Sequence, residues 1–179
     1  MAHGLTLGEL AGWLNETFNI GASLTIKKME GYELASWRQS AWPLSQPWVN
    51  PSPNASNVNM TRHFPGTLLL EGTILSEGRG TTTPLELVGA PWLDVEGLVQ
   101  TLKADGGFAL GGTLLRPCFF EPTFHKHAGK LCAGIQFHTE HPGYRPEGHL
   151  PYTLMAIALR SIQGQLDSSI WRSHEYEYE

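Results

Sequence analysis

Between Trp37 and Phe64 the chain carries Pro43, Pro47, Pro51 and Pro53, several asparagines and no hydrophobic period. Proline fixes its own φ and lacks the amide hydrogen that helices and ladders use, so this stretch predicts a long irregular loop. Loops of such length inside a compact domain are uncommon and tend to be functional or disordered. Trp37, Trp42 and Trp48 argue against disorder, because disordered segments are poor in aromatics. Regular structure must therefore be built from the segments on either side.

On the N-terminal side, Thr6-Leu-Gly-Glu9 has the form of a capping box. Leu7, Leu10, Ala11, Leu14 and Phe18 then follow helical spacing, which predicts an amphipathic helix over residues 6–18, ended by Gly21. Ser23–Glu30, "SLTIKKME", alternates Leu24, Ile26 and Lys28 with Thr25 and Lys27 and predicts a strand. On the C-terminal side, Thr67–Gly72 predicts a buried strand and Pro84–Pro91 another. Asp94 can cap a helix that carries Val95, Leu98, Val99 and Leu102 on one stripe. "TLLRPCFFEP" and "KLCAGIQFH" predict two further strands, separated by "TFHKHAG". Pro151 suits the first turn of a last helix running to about Gln165, with Leu154, Ile157, Ala158 and Ile162 as its apolar face. The acidic tail "SHEYEYE" is expected to fray. This order predicts a mixed α/β (α+β) fold: a mixed β-sheet or partly open barrel-like sheet flanked by about three helices, in a single domain over residues 1–179.

Net charge −5 and a pI near 5.9 argue against nucleic acid as a partner, and the 12 Lys and Arg are scattered. No apolar run approaches the ~20 residues of a membrane span. "MAHGLTLGE" lacks the charged and apolar regions of a signal peptide. The expectation is a soluble chain, cytoplasmic as written and periplasmic or secreted if an upstream signal has been removed. Cys118 and Cys132 are too few for a disulfide framework or a thiolate zinc site. One bridge between them is possible, with two separate buried thiols the preferred reading.

The segment "LSEGRGTTTP", Leu75–Pro84, sets Glu77 and Arg79 between glycines and follows them with hydroxyls. It reads either as a polar site or as a surface turn held by an internal ion pair. Several longer phrases bear on the choice. "HGLTLGELA", "WVNPSPN", "PGTLLLEGTILSEGRGTTTPLELVGAPW", "PTFHKHAGKLCAGIQFH" and the terminal "WR…YEYE" together resemble the DUF1343 family. Its characterised members are exo-β-N-acetylmuramidases, glycoside hydrolases that act on peptidoglycan fragments.

The resemblance implies the C-terminal part of such an enzyme. Family members are longer and carry an N-terminal Rossmann-like domain, expected to be absent here, to which the catalytic glutamate is attributed. It further implies a substrate-cleft domain, inactive alone, with no cofactor. The implied partners are an amino-sugar glycan or muropeptide and the Rossmann-like domain in cis or in trans. The alternative is a non-catalytic module that binds sugar or a partner subunit. The chain departs from the family pattern at Ile74, Leu85 and His125, where Asn, Phe and Ser are usual; Ile74 removes a donor and an acceptor from the head of the polar loop.

On that footing Arg79 offers a planar fork of donors that matches a carboxylate, such as the lactyl group that distinguishes N-acetylmuramic acid from N-acetylglucosamine. Glu77 would hold Arg79 or accept sugar hydroxyls, with Thr81 beside them. Trp48 and Asn54 would supply a stacking surface and an amide; the competing reading has Trp48 covering core and Asn54 capping a turn. Lys126, His127 and His138 are further binding candidates, and His125 shares an extended face with His127. Three imidazoles without a carboxylate or thiolate at ligand spacing do not make a metal site. Glu71 and Glu77 are the weak catalytic candidates, because a glycosidase needs two facing carboxyl groups.

Overall fold

Thr6 starts the first helix as its sequence predicts: its hydroxyl accepts from Glu9 N while the Glu9 carboxylate accepts from Thr6 N at 2.7 Å. The computed structural model describes residues 5–31 and 46–173. Trp37, Trp42, Pro43 and the tail beyond Ser173 lie outside the described residues. The chain forms two compact units, residues 1–38 and 39–179.

The first unit holds helix α1, Leu7–Thr17. The stretch expected as a strand, Ser23–Glu30, is irregular. Alternation makes a strand only where a second strand takes its hydrogen bonds, and Ile26 instead lies against Gly8 of α1, its Cγ2 2.5 Å from where a Cβ would stand. Asn15 closes the connection by exchanging hydrogen bonds with the backbone of Ala22 at 2.8 and 3.0 Å.

The second unit contains helix α2 (Val58–Thr67), strand β1 (Leu87–Ala90), helix α3 (Val95–Ala104), strands β2 (Leu114–Phe120) and β3 (Cys132–His138), and helix α4 (Pro151–Gln163). The three strands form an open antiparallel sheet in the order β1-β3-β2, with Val88 opposite Ile135 and Pro117 also opposite Ile135. Mixed α and β structure, as the sequence predicts, is what the chain adopts. No helix among the described residues is long and apolar enough to cross a membrane. Cys118 and Cys132 are both free thiols.

Two segments differ from expectation. Helix α2 begins inside the predicted loop, because Asn57 caps it by accepting from Met60 N at 2.9 Å. The predicted strand Thr67–Gly72 is a 3₁₀ turn, Leu68–Gly72, continuing α2. Only Leu70 of its three leucines is buried, while Leu68 and Leu69 are each 38% exposed. A run of three leucines fits a turn that buries one residue in three as readily as a strand buried on both faces.

Helix α3 packs over β2 and β3, α4 packs on α3, and α2 packs on α4. Gly66 permits the α2–α4 approach, since a Cβ there would run into the Pro151 carbonyl. Leu98, Leu102, Ile135, Ala158, Ile162 and Ile170 are fully buried in the shared core. Each such leucine or isoleucine contributes about 1.5–3 kcal/mol by leaving water. Ile74, the departure at the head of the polar loop, turns its side chain to this core.

Candidate functional site

The 3₁₀ turn accepts hydrogen bonds on three successive residues, two of them from cationic side chains. Leu70 O accepts from Lys126 Nζ at 2.7 Å, Glu71 Oε1 accepts from Arg79 Nη2 at 2.6 Å, and Gly72 O accepts from Arg172 N at 3.0 Å. Leu70 O also accepts from Thr73 N and Oγ1 at 2.9 and 2.8 Å, whereas Gly72 O, the last carbonyl of the turn, is left for Arg172 N.

Glu77 is the centre of the cluster. It is 1% exposed, accepts from Arg79 Nε at 2.6 Å through Oε1, and has Lys126 Nζ 2.7 Å from Oε2. The ammonium meets Oε2 as a close ionic contact rather than along a hydrogen-bond direction. Burial pushes the Glu77 carboxyl up, and Lys126 and Arg79 together outweigh it, so the group sits below the usual carboxylate range. Burial lowers Lys126, with Glu77 opposing. The pair is therefore ionised, Lys126 being only 9% exposed.

The backbone around Glu77 is strained. Gly78 and Gly80 adopt φ of +75° and +79°; a Cβ at Gly80 would overlap Thr123 Oγ1 and the Phe124 ring. Of the described non-glycine residues with positive φ in the second unit, Leu85, His125 and His127 all adjoin this cluster. Left-handed backbone costs about 1–2 kcal/mol per ordinary residue. It is tolerated because anchors on both sides fix it. Leu85 N donates to Glu77 O at 2.7 Å, Lys126 is held at two points between the two histidines, and Gly129 N closes the loop onto Pro122 O at 2.8 Å. His127 Nε2–H donates to Ile74 O at 2.8 Å. Burial lowers the His127 pKa against that hydrogen bond, leaving a neutral ring. His125 places Nδ1 3.7 Å from Glu77 Oε1 and is 45% exposed.

The structure thus brings together Glu71, Glu77, Arg79, Lys126 and His127. Arg79 is 20% exposed and spans the two carboxylates, which leaves Nη1 as its uncommitted nitrogen. Thr81 stands at the same turn but spends its hydroxyl on Gly78 O at 2.6 Å. Trp48 serves a small apolar cluster instead: its indole donates to Ala55 O at 2.8 Å and packs on Ala55, Met60 and Leu85. Asn54, half-buried, is its neighbour. His138 ends β3 near His63, and the buried Nε2 of each has no partner among the described residues. No group of three or more His, Cys, Asp or Glu that could hold a metal occurs among the described residues.

Three residues escaped the sequence reading. Glu86 is 2% exposed and accepts from Asn57 at 2.5 Å, Asn59 at 2.7 Å and Gln136 at 3.2 Å. Its place between Leu85 and Leu87 in the alternating run "PLELV", just before β1, is the signal that could have found it. Phe124, 51% exposed, lies beside Gly80. Arg172 follows Trp171 on a segment bridged to Thr73. An open groove of about 550 Å³ runs between α3 and α4, lined by Asp94, Thr101, Asp105, Arg160 and Gln165. Its polar groups are occupied structurally: Asp94 caps α3, and the Gln165 amide exchanges hydrogen bonds with the Asp94 backbone at 2.9 and 3.1 Å. The charged cluster, with its strain and buried ions, is the stronger candidate.

Residues 62–177 match the family model described as exo-beta-N-acetylmuramidase NamZ, C-terminal, and residues 1–59 match that described as exo-beta-N-acetylmuramidase NamZ, N-terminal. The peptidoglycan beta-N-acetylmuramidase NamZ of Bacillus subtilis (strain 168) is 43% identical over 138 residues, which are 77% of this chain and 32% of that protein. The chain thus spans about a third of the length of this curated relative. A crystal structure of a DUF1343 family protein from Bacteroides fragilis NCTC 9343 superposes with a TM-score of 0.67 at 21% identity, covering 90% of this chain and 40% of that one. A second protein of the family from the same organism gives 0.55 at 21%, covering 92% and 49%. At that identity the likeness is one of fold.

Proposed function

The chain belongs to the exo-β-N-acetylmuramidase NamZ (DUF1343) family, and from that premise we propose that it forms one wall of the substrate cleft of a glycoside hydrolase acting on peptidoglycan-derived N-acetylmuramic acid glycans. The observation that carries this reading is the ionised, buried Glu77 held between Lys126 and Arg79, on a turn beside left-handed backbone at Leu85, His125 and His127.

A general acid of a glycosidase needs a raised pKa. Glu77 is held the opposite way by its two cations, and at 1% exposure it meets no substrate oxygen. It acts as a fixed charge that orients Arg79 and Lys126. Arg79 Nη1 then reaches a sugar hydroxyl or acetamido oxygen, and the half-exposed Phe124 ring offers an apolar face for the pyranose. The proton donor comes from another part of the enzyme, so this chain alone turns over little or nothing.

A chromogenic β-N-acetylmuramide assayed with the chain alone, and then with the family's N-terminal domain added, tests the reading. Release is expected only with both parts. Comparable release by the isolated chain would place the acid here and overturn this assignment. Unchanged silence of the mixture, with no sugar bound by either part, would favour the partner-binding module.

A further inference from the structure

We propose that Arg172 is the residue that selects an acidic amino sugar, pairing with the ligand's carboxylate at the edge of the Glu71–Arg79 cluster; this rests on the sugar-site reading above.

The first argument is charge. Among the described residues, Arg79 and Lys126 reach the turn Leu68–Gly72 through their charged groups, Arg172 is tied to it by its backbone N–H, and two carboxylates, Glu71 and Glu77, accompany them. Arg79 is shared between both carboxylates and Lys126 rests on Glu77 Oε2. The Arg172 side chain is exposed and makes no ion pair or hydrogen bond among the described residues. Its charge is near enough to disfavour the charged form of Lys126. Among the described residues the surplus is thus one positive charge, on a chain of net charge −5. A surplus cation amid like charges is relieved by an arriving anion.

The second argument is placement. The segment that leads into Arg172 is anchored. Ile170 is fully buried, its carbonyl accepts from Ile74 N at 2.8 Å, Trp171 bridges Thr73, and Arg172 N donates to Gly72 O at 3.0 Å. The backbone leading up to the guanidinium's root is fixed by these contacts, which lowers the ordering entropy that opposes binding.

The third argument is elimination. A guanidinium recognises a carboxylate best through two parallel donors. Arg79 has given Nε and Nη2 to the protein's own carboxylates, whereas every donor of Arg172 is free for a ligand. The lactyl carboxylate of N-acetylmuramic acid is such an anion, and N-acetylglucosamine lacks it.

The test is calorimetric titration of the full 179-residue chain with three probes: methyl β-N-acetylmuramide, the same sugar with its lactyl carboxylate amidated, and methyl β-N-acetylglucosaminide. Wild type is expected to bind the acid about tenfold more tightly than the amide, the size of one charge-assisted contact. Arg172→Gln is expected to lose that preference, with amide affinity and Tm unchanged, and Arg172→Lys to recover part of it. A preference that survives Arg172→Gln overturns the proposal. Equal binding of all three probes by wild type overturns it while leaving the sugar site standing. No binding of any probe removes the sugar site, and this proposal with it.

Discussion

Glu77 and Glu86 are both buried carboxylates, at 1% and 2% exposure, on the two arms of one loop, and they are held in opposite ways. Two cations grip Glu77. Three neutral amides, from Asn57, Asn59 and Gln136, cradle Glu86. The amide cradle continues through Asn59 Oδ1 to Thr139 and from there to Arg62, tying α2 to the ends of β1 and β3. It closes on itself and fixes the fold. The ionic clamp does not close: it leaves Arg79 Nη1, Phe124 and Arg172 facing outward, and it carries the strained backbone. Neutral donors satisfy a buried acid where shape is the requirement; cations gather around one where a charge must be presented.

The largest separation between the two should appear on removing the charge of Glu77. Glu77→Gln strands the buried Lys126 ammonium, so chemical unfolding should show a loss of about 3–5 kcal/mol. Lys126→Met added to it should restore much of that loss. Additive effects within about 0.5 kcal/mol would deny the coupling. Glu86→Gln is expected to be milder, about 1–3 kcal/mol, because it turns an amide donor toward donors without stranding an ion.

Acid should discriminate next. The folded Glu77 pKa lies below its unfolded value of about 4.5, so the unfolded chain takes up the proton first as pH falls. Its stabilisation is full above pH 4.5 and declines below it. Urea midpoints measured from pH 6 to 3 should fall less steeply in Glu77→Gln than in wild type. His63 adds a second, earlier limb. Burial and then the charges of His149, Arg62 and His138 hold its folded pKa well below 6.5, so its share of stability is complete above pH 6.5 and lost as pH falls below. His63→Gln should flatten that limb alone.

The smallest effect is expected at the strain itself. His125 has φ +68° and touches Glu77 only at 3.7 Å, so His125→Gly should raise stability slightly, by about 1 kcal/mol or less. A clear fall in Tm would mean that the imidazole contributes more than the backbone costs.

Much of this was legible in the residues. The capping box at Thr6, the Asp94 cap, Pro151 at the first turn and the strands of "TLLRPCFFEP" and "KLCAGIQFH" all appear where local chemistry puts them. Glu71, Glu77, Arg79, Lys126 and His127, each singled out in the sequence, come together in the fold. What failed had a common cause, since tertiary contacts chose between patterns that sequence leaves degenerate. "TLLLEG" became a 3₁₀ turn because only Leu70 finds the core, and "SLTIKKME" lacks a second strand to pair with. The occupancy of Arg79 was equally hidden. Spacing shows that Glu77 is near, but only the fold shows that Glu71 comes too, so the guanidinium is shared before any ligand arrives.

The most direct test compares Arg79→Lys with Glu86→Gln in titrations with methyl β-N-acetylmuramide, at a temperature where both variants are folded. Arg79→Lys is expected to weaken binding about tenfold with little change in Tm, its ion pairs being partly exposed. Glu86→Gln is expected to lower Tm and leave the affinity within about twofold. Intact affinity in Arg79→Lys, with binding lost in Glu86→Gln, would show that the cradle and not the clamp faces the sugar.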